Sequence, residues 1–310
     1  MKLRVGTRRS KLALAQCGQV CRRLEEAVKG LRCEIVEVVT TGDQVSDRPL
    51  REAGGKGLFV KELDEALLDG HVDFAVHSLK DVPTELVDGI RIACVPERDD
   101  PRDVLLSMSG ASLAELPRDA LIGTTSLRRA AQAKAIVPGL RVEMLRGNID
   151  TRLARLIKGD FDATFLAAAG LARLGISTAP LGRVELDPFE FIPSPGQGAL
   201  CMTACESASE VIGALIVVDH LPTRAAVTAE RAAARVLGGS CHLPVGAYAE
   251  CRGDDLVVVA VVASPDGKRS VRRHGRGPVS AAEVVGEKVG RELLAGGGEQ
   301  IIAEIEGPLR

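Results

Sequence analysis

Over the first two-thirds of the chain, short apolar runs alternate with amphipathic stretches, and this alternation restricts the fold more than any other feature. Residues 3–6 read as a strand. A helix follows, with Ser10 as its N-cap and Ala13, Cys17, Val20, Leu24 and Ala27 at helical spacing. Residues 33–39 read as a strand, 40–57 as a long polar loop containing glycine, 59–68 as a helix, and 72–76 and 90–95 as strands. After Asp99-Asp100-Pro101-Arg102 the pattern restarts, with strands at 121–123, 141–145 and 163–167 and helices at 127–136 and 148–157. Such β-α-β order predicts largely parallel sheets with helices on both faces. The last third changes character. An alanine-rich helix at 223–237 precedes a meander of strands at 245–251, 256–263 and 269–274, with a Ser264-Pro265-Asp266-Gly267 turn, and helical segments at 281–294 and 299–305 close the chain. The expectation is an α/β chain with a separate α+β domain from about residue 220, and 310 residues suffice for two or three domains.

Charge and composition narrow the function. Lys plus Arg number 40 against 42 Asp plus Glu, so nothing global attracts nucleic acid or an anionic membrane. One Tyr, six Phe and no Trp leave little for base stacking. The N-terminus has no long apolar stretch, and no run reaches the ~18 apolar residues of a membrane span, so a cytoplasmic protein without membrane or nucleic-acid partners is expected. The eight cysteines fit a reducing compartment. Cys17 and Cys21 lie four apart on an apolar helical face, and Cys33, Cys94 and Cys251 lie in or beside strands, where cysteine behaves as a small hydrophobe. There is no Cys-x-x-Cys pair, and Cys201 and Cys205 have no matching second pair, so no metal site is expected.

Ligand sites in open α/β sheets form where strands hand over to helices, because helix N-termini and loop amides converge there. Thr7-Arg8-Arg9-Ser10, Gly123-Thr124-Thr125-Ser126-Leu127-Arg128-Arg129, Arg146-Gly147-Asn148 and Thr151-Arg152 all fall at such places. Each reads either as a solvated helix end or as part of an anion site; four at equivalent positions point to a ligand with several carboxylates or phosphates. Phosphate is the poorer fit. Gly54-Gly55-Lys56-Gly57 lacks the spacing and the hydroxyl of a P-loop, and Gly196-Gln197-Gly198 lacks the third glycine of a dinucleotide fingerprint. His77-Ser78-Leu79-Lys80-Asp81-Val82-Pro83 ends an apolar strand, and Asp81 there either caps a turn or stabilises a developing cation and moves a proton. Cys241, in Leu237-Gly238-Gly239-Ser240-Cys241-His242-Leu243-Pro244-Val245-Gly246, is by context alone a nucleophile, a metal ligand or a buried hydrophobe. Metal-ligand spacing is lacking, and His242 would point to the opposite face of a strand, which makes it a poor general base for that thiol.

Taken in order, Gly54-Gly55-Lys56-Gly57-Leu58-Phe59, the 77–83 and 123–129 segments, Leu145-Arg146-Gly147-Asn148, Pro195-Gly196-Gln197-Gly198-Ala199 and the Cys241 segment resemble the motifs of the porphobilinogen deaminase (hydroxymethylbilane synthase) family over essentially the whole chain. The resemblance implies two hinged α/β domains like those of periplasmic binding proteins, at 1–97 with 197–217 and at 101–193. A C-terminal α+β domain at 220–310 would carry a small antiparallel sheet and the cofactor cysteine. It implies a transferase that condenses four porphobilinogen molecules head to tail, releasing ammonia each time, and then hydrolyses off a linear tetrapyrrole on the route to haem-type products. The growing chain is held on a dipyrromethane cofactor, joined by thioether to the cysteine that matches Cys241. Asp81 matches the catalytic aspartate. Lys80, Ser78, Ser126, Arg128 and Arg129 match residues that hold the cofactor's acetate and propionate groups, with Arg8, Ser10 and Arg152 also near it. Arg8, Arg146, Arg152, Arg173, Phe59 and Gln197 match residues around the incoming substrate. The resemblance implies no metal, and it implies a monomer. Porphobilinogen bears two carboxylates, so a cleft rich in arginine suits it.

Two positions depart from the family pattern: Thr203-Ala204-Cys205 stand where Glu-x-Arg is common, and Ser240 precedes Cys241 where many members have Gly. Rival readings are a non-catalytic carboxylate-binding receptor, a Cys–His hydrolase and an inactive deaminase-like protein. The receptor would need neither Cys241 nor Asp81.

Overall fold

Three sheets organise the chain, and the computed structural model describes residues 1–41, 57, 60–239 and 243–306. The first contains β1 (Lys2–Arg8), β2 (Arg32–Val38), β3 (Phe74–Ser78), β4 (Ile90–Cys94) and β10 (Leu200–Cys205), in the order β2-β1-β3-β10-β4. The second contains β5 (Asp103–Ser107), β6 (Leu121–Gly123), β7 (Arg141–Glu143), β8 (Ala163–Ala167) and β9 (Gly182–Glu185), in the order β7-β6-β8-β5-β9. The third is an antiparallel meander of β11 (Val245–Arg252), β12 (Asp255–Ala263) and β13 (Ser270–Pro278).

Strand alternation distributes side chains between cores on opposite faces. On the first sheet Leu3, Val5, Phe74 and Val76 face α1 (Lys11–Ala27), which begins where Ser10 accepts a hydrogen bond from the Ala13 amide and turns Cys17, Val20 and Leu24 inward. Ala75 faces the other way, toward Leu63 and Leu67 of α2 (Lys61–Leu68). On the second sheet Leu105 joins Ile122, Phe165 and Ala133 of α3 (Leu127–Ile136), while Val104 and Leu106 join Leu153 and Leu156 of α4 (Ile149–Ile157) and Leu171 of α5 (Ala168–Leu174). Each such fully buried aliphatic side chain stabilises the fold by ~1.5–3 kcal/mol. After α6 (Ser209–Leu215), the alanine face of α7 (Leu221–Val236) lets α8 (Ala282–Leu293) approach closely over the meander, and α9 (Glu299–Glu306) ends the described chain.

The sheets are mixed rather than largely parallel. β1 pairs parallel with β2 and β3, and β6 with β7 and β8, but β10 and β5 pair antiparallel with both neighbours. The chain path is the reason. Leu200, the first residue of β10, pairs with Ser78, the last of β3, and Asp103, the first of β5, pairs with Ala167, the last of β8. Each of these strands follows directly on a segment that has crossed from the other sheet, so it enters at the edge where its neighbours end.

The crossing segments touch. The Asp99 amide donates to the Gly198 carbonyl (3.2 Å), and Gly198 has φ +85°, with a Cβ there falling 2.6 Å from the Asp99 carbonyl oxygen. Only glycine satisfies both conditions. Glu230 of α7, fully buried, accepts from Arg98 (2.6 and 3.2 Å) and from the Gly196 and Ala249 amides (2.7 and 2.8 Å), tying both crossings to the third sheet. The described cysteines are free, and burial pushes the Cys201 thiol up to about 12. Among the described residues no single helix is long and apolar enough to cross a membrane.

Candidate active site

β3 ends at Ser78 and the chain makes a single 3-10 turn, Leu79–Asp81, closed by the Val82 amide on the Leu79 carbonyl (3.1 Å). Leu79 is buried and its amide bonds the Ala199 carbonyl (3.0 Å), which fixes Lys80 and Asp81 at the edge of the first sheet. Burial pulls the Lys80 ammonium down to about 8, with Asp81 opposing and Arg129 adding to the effect. Buried Gln16 of α1 donates through Nε2 to Ser78 Oγ (2.9 Å).

At the facing edge of the second sheet, Ser126 caps α3 by accepting from the Arg129 amide (3.3 Å). Arg128 and Arg129 are buried and converge on Asp103. Arg128 Nη1 donates to one carboxylate oxygen (2.7 Å), and Arg129 Nε and Nη2 donate to the other (3.0 and 2.7 Å). Gln197 Nε2, on the returning crossing, donates to that second oxygen as well (2.9 Å). Burial alone would raise the Asp103 pKa, but the Arg128 and Arg129 charges outweigh it and hold the carboxyl well below the usual carboxylate range. The remaining contacts of the pair are to carbonyls, Arg128 Nη1 to Ile192 (2.7 Å) and Arg129 Nη1 to Phe165 (3.0 Å).

Two cavities meet here. One, of about 260 Å³, is lined by Lys80, Asp81, Ser126, Arg128, Arg129 and Gln197. Gly239 and Leu243, the described residues nearest to 241 on either side, also line it. The other, of about 660 Å³, is lined by Arg8, Ser10, Ser78, Arg146, Arg152 and Arg173, and Lys80 and Arg129 line both. Arg152 Nε donates to the Gly147 carbonyl (2.9 Å), and burial, with Arg129 adding, pulls this guanidinium down to about 10. Arg146 Nε contacts Met144 Sδ (3.1 Å). Arg173 donates to Asp99 (2.7 Å) and to the Gly198 carbonyl (2.6 Å), so it braces the crossing segments while it lines the cavity.

Twelve of the fourteen residues singled out in the sequence thus line one cavity or both. Cys241 and Phe59 lie outside the described residues, as do Ser240 and most of the 40–57 loop. Asp103 and Gln16 were missed. Both are polar residues inside apolar patterns, at the start of the 103–107 run and on the inward face of the first helix, and that misfit was the available signal. Thr203, where the family commonly has Glu, bonds His77 Nε2 through Oγ1 (2.9 Å), and Cys205 donates to the Leu67 carbonyl (3.2 Å).

A family model described as "Porphobilinogen deaminase, dipyromethane cofactor binding domain" matches residues 3–213, and one described as "Porphobilinogen deaminase, C-terminal domain" matches residues 224–295. The porphobilinogen deaminase of Bordetella parapertussis is 48% identical over 304 residues, spanning 98% of this chain and 96% of that protein. That of Chromobacterium violaceum is 44% identical over 304 residues, spanning 98% of each. Of solved structures, the unliganded, open L-cystine solute receptor of Neisseria gonorrhoeae matches 69% of this chain and 84% of its own, at TM-score 0.40 and 16% identity.

Proposed function

The chain belongs to the porphobilinogen deaminase family, and on that premise we infer that it is a hydroxymethylbilane synthase, a transferase that joins four porphobilinogen molecules head to tail, loses ammonia at each step and releases the linear tetrapyrrole by hydrolysis. The observation that carries this reading is the meeting of Asp81 and Lys80 with Arg128 and Arg129 around a cavity that Gly239 and Leu243 also wall.

A dipyrromethane fits the donors at this site, since its acetate and propionate groups call for guanidinium, ammonium and hydroxyl partners. Lys80, Ser78, Ser126, Arg128 and Arg129 would hold those groups, with Arg8, Ser10 and Arg152 beside them, and Cys241 would carry the thioether. When bound, the cofactor supplies the pyrrole end to which units are added. Asp81 holds a pyrrole N–H and offsets the positive charge that develops at the methylene carbon as ammonia leaves. A preset electrostatic partner of this kind is worth roughly 10²–10³ in rate. Arg8, Arg146, Arg152 and Arg173, with Phe59 and Gln197, take the incoming substrate and its carboxylates. Asp103 keeps Arg128 and Arg129 from turning out of the cleft. We assign three domains, at 1–97 with 197–217, 101–193 and 220–310, in a cytoplasmic monomer without nucleic-acid or membrane partners.

The test is incubation with porphobilinogen followed by acid oxidation and measurement of uroporphyrin absorbance. The wild-type chain makes the product and Asp81→Ala loses nearly all turnover. An inactive wild type, or Asp81→Ala at the wild-type rate, refutes the reading.

A further inference from the structure

Arg231, on α7, also lines the smaller cavity, but the chemistry above gives it no role. Among the described residues it makes no ion pair. Its hydrogen bonds go to three successive backbone carbonyls, Nη1 to Val82 (3.0 Å) and Nη2 to Pro83 (2.6 Å) and Thr84 (3.3 Å). Burial lowers its pKa, so the cation is held here against a desolvation cost that its carbonyl contacts offset. The segment it grips follows Asp81 directly.

Two further contacts run from the same helix to the same segment. Val227, one turn before Arg231, packs with Leu79 and Val82. Gly239, beyond the end of α7, has φ +58° and sits so close to Thr84 that a Cβ would fall 2.3 Å from Thr84 Oγ1. α7 and the residue just past its end therefore approach the turn that carries Asp81 at three places, Val227, Arg231 and Gly239.

We propose that Arg231 is a positioning residue that holds the 79–84 turn against α7 and so fixes Asp81 at the cavity wall, where the carboxylate meets the reacting end of the growing chain. This rests on the function inferred above. Losing the three-carbonyl grip lets the 79–84 turn drift, and a misplacement of about 1 Å costs on the order of 10²-fold in rate.

The experiment compares wild type, Arg231→Gln and Arg231→Lys. It reads kcat and KM per mole of cofactor-loaded enzyme, together with hydrogen exchange of the Leu79 and Val82 amides, the two hydrogen-bonded amides of this turn. Arg231→Gln is expected to lose roughly 10- to 100-fold in kcat with KM within about threefold, and to lose protection at the Leu79 and Val82 amides while protection elsewhere persists. Arg231→Lys keeps the charge but reaches fewer carbonyls, and falls between the two on both measures. If Arg231→Gln does not fold, Arg231→Lys decides by the same two readouts. A kcat within about twofold of wild type, or a loss of kcat with unchanged exchange at the Leu79 and Val82 amides, overturns the proposal. A wild-type chain that neither carries the cofactor nor forms product refutes the family chemistry instead, and the exchange comparison then still tests the grip on the turn.

Discussion

Asp103→Asn removes one charge from the centre of the arginine cluster and changes almost nothing in shape. In the wild type the carboxylate is fully buried, and the side chains of Arg128 and Arg129 are only 6% and 9% exposed. Four donors converge on it, from Arg128, twice from Arg129, and from Gln197. Without the negative charge, two guanidiniums stay buried with the Ile192 and Phe165 carbonyls as their main remaining partners. Removing one partner of a buried ion pair costs about 3–5 kcal/mol, mostly because the other charge is left uncompensated. At roughly 2–4 °C per kcal/mol for a body of 150–250 residues, Tm should fall by on the order of 10 °C. The pH dependence has a definite sign. The folded-state pKa of Asp103 is depressed, so its contribution is complete above the ordinary carboxyl value and is lost as pH falls below it toward the folded value. The gap between wild type and Asp103→Asn is therefore constant near neutrality and narrows in acid. The double variant Asp103→Asn/Arg128→Met should lose less than the sum of the two single variants, because the stranded charge goes too. Thermal unfolding of the four proteins checks this. Equal Tm values for wild type and Asp103→Asn at neutral pH, or strictly additive losses, refute the argument.

Two other groups give pH-dependent outcomes. With its ammonium pulled down to about 8, Lys80 loses its charge in mildly alkaline solution, so the rate at which cofactor-free protein acquires its cofactor from porphobilinogen should fall as pH passes about 8. Lys80→Arg should extend the plateau upward; superimposable profiles contradict the assignment of Lys80 to a carboxylate. Burial, with Arg8 adding, pulls His77 down from 6.5 to about 4, so the unfolded chain takes up that proton at a higher pH than the folded one. The stability it confers is complete above about 6.5 and is lost as pH falls toward 4, so Tm should drop less between pH 7 and pH 5 in His77→Gln than in wild type. Identical slopes would show that His77 titrates normally in the folded chain.

Much of the architecture was legible because its signals are local. Ser10, Ser126 and Asn148 start helices by accepting from amides three residues on, and the strand ends beside them place Arg8, Arg129 and Arg146 around one cavity between facing sheet edges. β5 and β10 were not read, and with them went the antiparallel pairings. Asp103–Ser107 is buried at every position and Leu200–Cys205 at all but the last, so neither shows the period-two pattern of a half-exposed strand. Asp103 escaped for a different reason. Its partners lie 25, 26 and 94 residues away, and no local spacing encodes a contact made only when two crossings meet. The arginines were recognised as anion ligands by their positions at strand ends. That two of them are held inward by a buried carboxylate, and that a third braces the crossings, is tertiary information.

The central claim is that this chain works as a hydroxymethylbilane synthase on a cofactor tethered at Cys241. The most direct measurement is the intact mass of freshly purified active protein, with peptide mapping of the modified residue, beside the same measurement on Cys241→Ser. The account predicts a wild-type mass above that of the sequence by two porphobilinogen-derived rings, localised to Cys241, and an unmodified, inactive Cys241→Ser chain. An unmodified chain that still turns over porphobilinogen, or an adduct on any other residue, contradicts it.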